Sequence, residues 1–266
     1  MIRLISFGVG AIFTLALLIA AFLPREAAVE DPAAKFHKPH MHVEFAHQGI
    51  FGTYDRAQLQ RGFQVYKEVC AACHSLHRVA FRNLADLGYN EAEIKAIAKG
   101  YDVPSIDDKT GDASTRPGLP SDRFPLVYPN DVAAKAANNG KAPPDLSLIV
   151  KAREGHEAYI YSVLAGYETA PAEFQVPEGG NFNPYFPGNV IAMPKPLSDD
   201  QVTYGDGTKA TVEQMSKDVT AFLTWAAEPH MEARKRIGIG VLMFLSVFFI
   251  VAVNSYRKIK AAVNSH

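Results

Sequence analysis

A mainly α-helical body between two apolar end segments is the architecture this sequence predicts, and three observations predict it. Apolar positions recur at near-helical spacing in several separate stretches, long proline- and glycine-rich runs divide those stretches, and no series of alternating strands accompanies them. Of the 266 residues, the two apolar ends set aside, roughly 200 remain for a body with its own core. Lysine and arginine number 27 against 28 aspartate and glutamate, so no global field selects nucleic acid as a partner. The two cysteines both lie inside one five-residue window, which leaves no thiol for a structural disulfide elsewhere.

Taken in order, residues 1–28 read as an export signal: Arg3 precedes an apolar run from Leu4 to Leu23. The cleavage signal is weak, because the small residues Ala27 and Ala28 follow Arg25 and Glu26. Cleavage is the expectation, and retention as a membrane span of about 20 residues is the alternative. Residues 29–230 form the body. Its lead-in is polar and proline-punctuated, with His37, His40, His42 and His47; a metal-binding tract is possible on composition. An irregular strand wrapping the body is the preferred reading, since no carboxylate or thiol cluster completes a metal site.

Leu59, Phe63, Val65 and Tyr66 place a helix over residues 55–69, capped by Asp55 and running into Cys70. A second helix spans residues 90–99, capped by Asn90 and stopped at Gly100. Five prolines make residues 102–129 a long loop. Helices follow at 131–138 and at 155–167, where Tyr159, Ile160, Val163 and Leu164 form an apolar face. Residues 171–196 are irregular. Val202–Tyr204 and Thr208–Ala210 around Gly205–Gly207 read as a small hairpin. Thr211 with Gln214 is a capping box opening a helix that ends at Pro229.

The last helix, residues 231–256, contains an apolar run from Ile237 that gives about 20 residues and roughly 30 Å. It is apolar on all faces and flanked by Arg234, Lys235, Arg236 and by Arg257, Lys258, Lys260, so it reads as a transmembrane anchor rather than a core helix. Export of the body then leaves only residues 257–266 as a short cytoplasmic tail.

The chemistry lies in Cys70, Ala71, Ala72, Cys73, His74, the spacing for covalent haem c attachment. Two thiols three positions apart suit the two vinyl groups of one porphyrin, and His74 becomes the proximal iron ligand. A zinc site needs a second such pair, and a redox dithiol has no use for the adjacent histidine. For the distal position Met193 stands out. It follows an irregular run and precedes Pro194 and Pro196, which stiffen the backbone, whereas Met215 and Met231 sit on or beside a core-type helix and Met243 lies in the anchor. A thioether suits iron(II), and His/Met ligation raises the reduction potential. Arg153 is preferred over Lys151 as a propionate partner for its bidentate fork. Phe63, Tyr66, Tyr159, Tyr185 and Phe186 are candidates for the pocket wall.

RGFQVYKEVCAACHS (61–75), AANNGKAPPDLSLIVKAR (136–153), NPYFPGNVIAMPKPL (183–197) and DGTKATVEQMSKDVTAFLTWAAEP (206–229) together resemble the cytochrome c1 family, bacterial type. The resemblance runs from about Gly49 to the anchor; the signal, the lead-in and much of 101–125 match loosely. It implies an enlarged, mainly α cytochrome c-type haem domain with long loops and one C-terminal transmembrane helix. Thioether attachment at Cys70 and Cys73, iron ligation by His74 and Met193, and a propionate contact by Arg153 follow from it, with Asn138, Pro143, Pro144 and Tyr159 near the haem. Some bacterial members add a second cysteine pair, absent here, so packing alone must hold the distal loop.

As partners the resemblance implies cytochrome b, a Rieske iron-sulfur protein that donates single electrons, a cytochrome c that accepts them, and membrane lipid. Acidic residues such as Asp107, Asp108, Asp112, Glu173 and Glu178 are candidates for steering a basic acceptor. The implied location is the bacterial inner membrane with the haem domain on the periplasmic side. An oxidase-linked anchored cytochrome c and a haem enzyme with an open distal face are the alternative functions.

Overall fold

The computed structural model describes residues 2–22 and 32–264; the expected cleavage region at 25–28 lies outside them. The chain divides into two units, Met1–Lys35 and Phe36–His266. In the first, α1 (Ile2–Phe22) carries an 18-residue stretch of mean hydropathy 2.4 with no buried side chain, enough to cross a membrane and equally the mark of a signal sequence.

The second unit is built on α2 (Arg56–Glu68), which packs most extensively against the helix at Val212–Ala227. Asp55 caps α2, its carboxylate accepting from Ala57 N and Gln58 N. The two helices approach so closely that a Cβ on Gly62 would overlap the Asp218 carbonyl and Phe222 Cβ. At the same crossing the fully buried Asp218 carboxylate accepts from Arg61 Nε (2.9 Å), Gln58 Nε2 (3.2 Å) and Gln214 Nε2 (2.9 Å). Arg61 reaches on to Asp206 (2.8 Å), so the buried charge is both paired and hydrogen-bonded.

α3 (Glu91–Lys99) carries a complete Asn90–Glu93 capping box. The expected loop at 102–129 instead contains a two-stranded ribbon, β1 (Asp102–Ile106) antiparallel to β2 (Ala113–Pro117), with Pro104 opposite Thr115. Proline is tolerated because each strand of such a ribbon keeps a free edge. Asp107 closes the turn, its side chain accepting from Lys109 N (2.8 Å) and Thr110 N (3.2 Å).

α4 (Asp131–Ala137) and α5 (His156–Ala165) follow where the spacing places them, and β3 (Asn181–Phe182) pairs with β4 (Val190–Ile191). The expected hairpin at 202–210 does not form. Val202, Tyr204 and Ala210 are buried in the core, Thr203 O accepts from Gln64 Nε2, and Asp200 N to Ala210 O (2.8 Å) closes an irregular loop. α6 (Val212–Ala227) keeps half of its capping box: Thr211 accepts from Gln214 N (3.1 Å), while the Gln214 side chain turns to Asp218.

α7 (Met231–Asn264) has 34 residues, roughly 51 Å at the usual rise, with a stretch of mean hydropathy 2.5 that no part of the unit buries. It continues through Asn264, so residues 257–264, expected as a tail, are helical. The lead-in histidines go separate ways. His40 packs edge-on to Tyr159, while His47 is buried and bonded to Glu157 on α5 (2.8 Å). The His47–Glu157 bond holds that carboxyl below its ordinary range against the opposing effect of burial.

Candidate functional site

α2 ends at Val69 and tightens into a 3-10 turn, Cys70–Ala72, with Cys73 N and His74 N both donating to Cys70 O (3.1 and 2.9 Å). Such a turn eclipses side chains three positions apart, which sends the two thiols to one side. They open onto a cleft of about 1050 Å³, at the top of the range for small-molecule and cofactor sites. Ile160 and Val163 of α5 and Val219 and Leu223 of α6 give it an apolar floor.

His74 is held from both sides. Its carbonyl accepts from Tyr66 Oη (3.1 Å), and its Nδ1 lies 2.8 Å from Pro144 O. A carbonyl only accepts, so Nδ1 carries the proton and Nε2 keeps its lone pair for a metal. Pro144 is itself fixed: Leu146 N donates to Ser75 O (2.9 Å), and Asp145 accepts from His77 N and Ser147 N (2.8 Å each). Burial pushes the His74 pKa below its ordinary value, outweighing the Pro144 bond and Asp145. The neutral imidazole is the ligating form. Burial, with Cys73 adding to it, pushes the Cys70 thiol up to about 12. Thiol–disulfide exchange needs a thiolate, so this environment disfavours a redox dithiol.

Met193 reaches the same cleft from the segment after β4. Asn183, fully buried, organises that segment: its amide donates to Val163 O at the end of α5 (2.8 Å), its side-chain oxygen accepts from Tyr185 N (3.1 Å), and its own N–H bonds Asn189 O (3.0 Å). Tyr167 Oη then donates to Met193 O (2.9 Å). Burial raises the Tyr167 hydroxyl well above the ordinary tyrosine value, so it stays a neutral donor.

All nine expected site residues line this one cleft. Arg153 stands exposed at it, where its charge partly offsets the burial that raises the Tyr159 hydroxyl. Asn138 ends α4, its amide donating to Ala134 O (2.7 Å). Of the aromatics offered for the wall, Tyr159 and Phe186 line the cleft. Phe63 and Tyr66 instead pack on Phe124 and Phe222, and Tyr185 is buried without lining the cleft. Lys151 is taken by Glu228 (3.2 Å). Asn183 and Tyr167 escaped the sequence reading: one polar residue in a proline-rich run and one tyrosine past a helix carry no distinguishing pattern.

The family model for the cytochrome C1 family matches residues 45–263. The chain belongs to the cytochrome c1 family. It is 51% identical over 237 residues to cytochrome c1 of Rhodospirillum rubrum, covering 83% of this chain and 86% of that protein. It is 50% identical over 240 residues to a cytochrome b/c1 of Bradyrhizobium diazoefficiens, covering 82% of this chain and 35% of that longer one. Identity is again 50%, over 208 residues, to the mitochondrial cytochrome b-c1 complex catalytic subunit of Candida albicans, covering 78% and 72%. Cytochrome c1 proteins carry a covalently bound haem c, and their role is redox, without catalysis of their own. The site fits that group: two thiols on one side of a turn, a metal-ready imidazole, a thioether and a largely apolar cleft.

Proposed function

We propose that this member of the cytochrome c1 family is the fixed electron-transfer subunit of a quinol:cytochrome c oxidoreductase, with Cys70 and Cys73 forming the thioether links to haem c and His74 and Met193 ligating its iron. The single observation that carries the ligand assignment is the convergence of His74 and Met193, 119 positions apart (193 − 74), on one cleft beside the two thiols. The haem supplies a one-electron couple. The residues set its conditions: Pro144 O orients His74, Tyr167 and Asn183 hold the backbone at Met193, and α5 and α6 exclude water from the floor. Arg153 at the cleft is the propionate partner, with Asn138, Pro143, Pro144 and Tyr159 as neighbours of the ring.

A relative that joins cytochrome b and c1 in one name, and another named for a b-c1 complex, support assembly with cytochrome b. A Rieske iron-sulfur protein is the proposed donor and a cytochrome c the acceptor. α7 anchors the chain in the bacterial inner membrane, and export places the haem domain on the periplasmic side.

Met193→Leu tests the ligand set. The haem should remain attached, the iron–thioether charge-transfer band should vanish, and the potential should fall by on the order of 100 mV or more. An unchanged band and potential would remove Met193 as the ligand. Co-purification in mild detergent with oxidase subunits, and without cytochrome b, would instead overturn the assembly.

A further inference from the structure

The loop at residues 46–53 takes no part in the cleft, yet it is built tightly. Gln48 N donates to Phe45 O (3.1 Å), Phe45 N donates to the Gln48 side-chain oxygen (3.2 Å), and Thr53 N donates to Ala46 O (3.2 Å). A Cβ on Gly52 would overlap the backbone of His47 and Gln48, so the turn depends on that glycine. What this fixed turn presents is Ile50, 70% exposed, and Phe51, 83% exposed. Among the described residues outside the two long apolar helices, Phe51 is the most exposed large apolar side chain. A rigid loop that displays two adjacent large apolar groups marks a contact surface.

Contacts with the C-cap of α6 and the first turns of α7 give its level. Tyr54 Oη donates to Glu228 O (3.0 Å), Tyr54 N donates to a Glu232 carboxylate oxygen (2.6 Å), and Lys235 Nζ donates to Gly52 O (3.1 Å) and His47 O (2.7 Å). Tyr54 N meets Glu232 and Gly52 O meets Lys235, so read backwards from Tyr54 to Gly52 the chain runs from residue 232 towards residue 235. Phe51 and Ile50 come next on that course. The apolar run of α7 begins at Ile237, roughly 3 Å of helix beyond Lys235. Residues 46–53 contain no carboxylate, and Arg234, Lys235 and Arg236 stand at the same level on α7. Aromatic and apolar groups beside a cationic helix turn suit the headgroup–acyl boundary of a bilayer.

We infer that Ile50 and Phe51 form a second membrane contact, inserted into the boundary of the bilayer that α7 crosses. With Lys235 tying the loop to the helix, the pair sets the height and tilt of the haem body over the membrane. The inference rests on the membrane reading of α7, and its test separates the two.

The full-length haem protein is reconstituted in vesicles containing a phosphatidylcholine with a photoactivatable diazirine near the glycerol, irradiated, digested with trypsin and mapped by mass spectrometry. Adducts are expected on peptide 36–56, localised to Ile50 and Phe51, as well as on peptide 237–257. In the double variant Ile50→Ser, Phe51→Ser, labelling of 36–56 should be lost while labelling of 237–257 and the haem spectrum persist. Labelling of 237–257 with none on 36–56 in the unaltered protein would overturn the inference and leave α7 as the sole contact, as would a protein neighbour covering the tip. Labelling of neither peptide would overturn the membrane reading of α7 and the inference with it.

Discussion

At the level of single residues, the distal side of the cleft depends on Asn183 in a way that its polarity alone does not announce. Val163 O belongs to the last turn of α5, where helix carbonyls lack intrahelical partners, and the Asn183 amide satisfies it at 2.8 Å inside the core. Its side-chain oxygen does the same for Tyr185 N (3.1 Å). Asn183→Ala strips both bonds and leaves two buried polar groups without these partners, a cost of about 2–4 kcal/mol. Asn183→Asp keeps the acceptor for Tyr185 but sets a carboxylate against Val163 O, so it should rescue little. Urea unfolding followed by haem absorbance measures the loss. The iron–thioether band of Asn183→Ala should also bleach at lower temperature than that of the parent, because the segment carrying Met193 loosens before the body unfolds. Equal thermal bleaching in the two proteins would show that Asn183 does not hold the distal segment.

Between elements, two interactions can be weighed by magnitude and sign. In an exposed helix Gly62→Ala would stabilise by about 1 kcal/mol through helix propensity. Here the new methyl meets α6 backbone, which cannot swing aside as a side chain does, and overpacking of about 1–3 kcal/mol or more wins; denaturant unfolding should show a net loss. The lead-in is tied to α5 through His47 and Glu157 (2.8 Å), and Glu157 titrates below its ordinary value. A depressed carboxyl contributes stability that is fully present above the unfolded pKa of about 4.3 and is lost as the pH falls through the lower folded value. Unfolding midpoints measured from neutral pH downward should therefore fall more steeply in the parent than in Glu157→Gln. The helices were legible because their signals are local: Asp55, Asn90 and Thr211 cap where the spacing says, and the spacing of Cys70, Cys73 and His74 pointed to haem c, the cofactor the family carries. What failed was decided at a distance. Prolines suggested loop throughout 102–129, but a two-stranded ribbon at 102–117 accepts them at its edges. The turn signal at Gly205–Gly207 was real, yet the core claimed Val202 and Tyr204 and prevented a ladder. Gln214 had a nearer cap to complete and bonds Asp218 instead, because a buried carboxylate demands its donors more strongly.

For the whole molecule, the question is where the haem body stops and the anchor starts, and the contacts place the division inside α7 rather than at its first residue. Met231 is buried in the core, and Glu232 accepts from Tyr54 N (2.6 Å) and pairs with Arg56 (2.9 Å). Lys235 bonds two carbonyls of the 46–53 loop, whereas the helix from Ile237 onward is apolar and exposed within the unit. A chain of residues 29–236 keeps every one of these contacts and sheds both apolar ends. It should be soluble without detergent, retain the haem spectrum and potential of the full-length protein, and unfold at nearly the same temperature. A chain of residues 29–229 loses the Met231 side chain from the core and the two charged anchors, together worth roughly 3–5 kcal/mol. That shorter body should still bind haem but unfold well below the longer one, and its Trp225, buried on the last turn of α6, should become accessible to acrylamide first. Indistinguishable thermal transitions for the two truncations would mean that the first turn of α7 contributes nothing to the body. In that case it is a tether that begins at Pro229, and the haem domain is free to pivot on it.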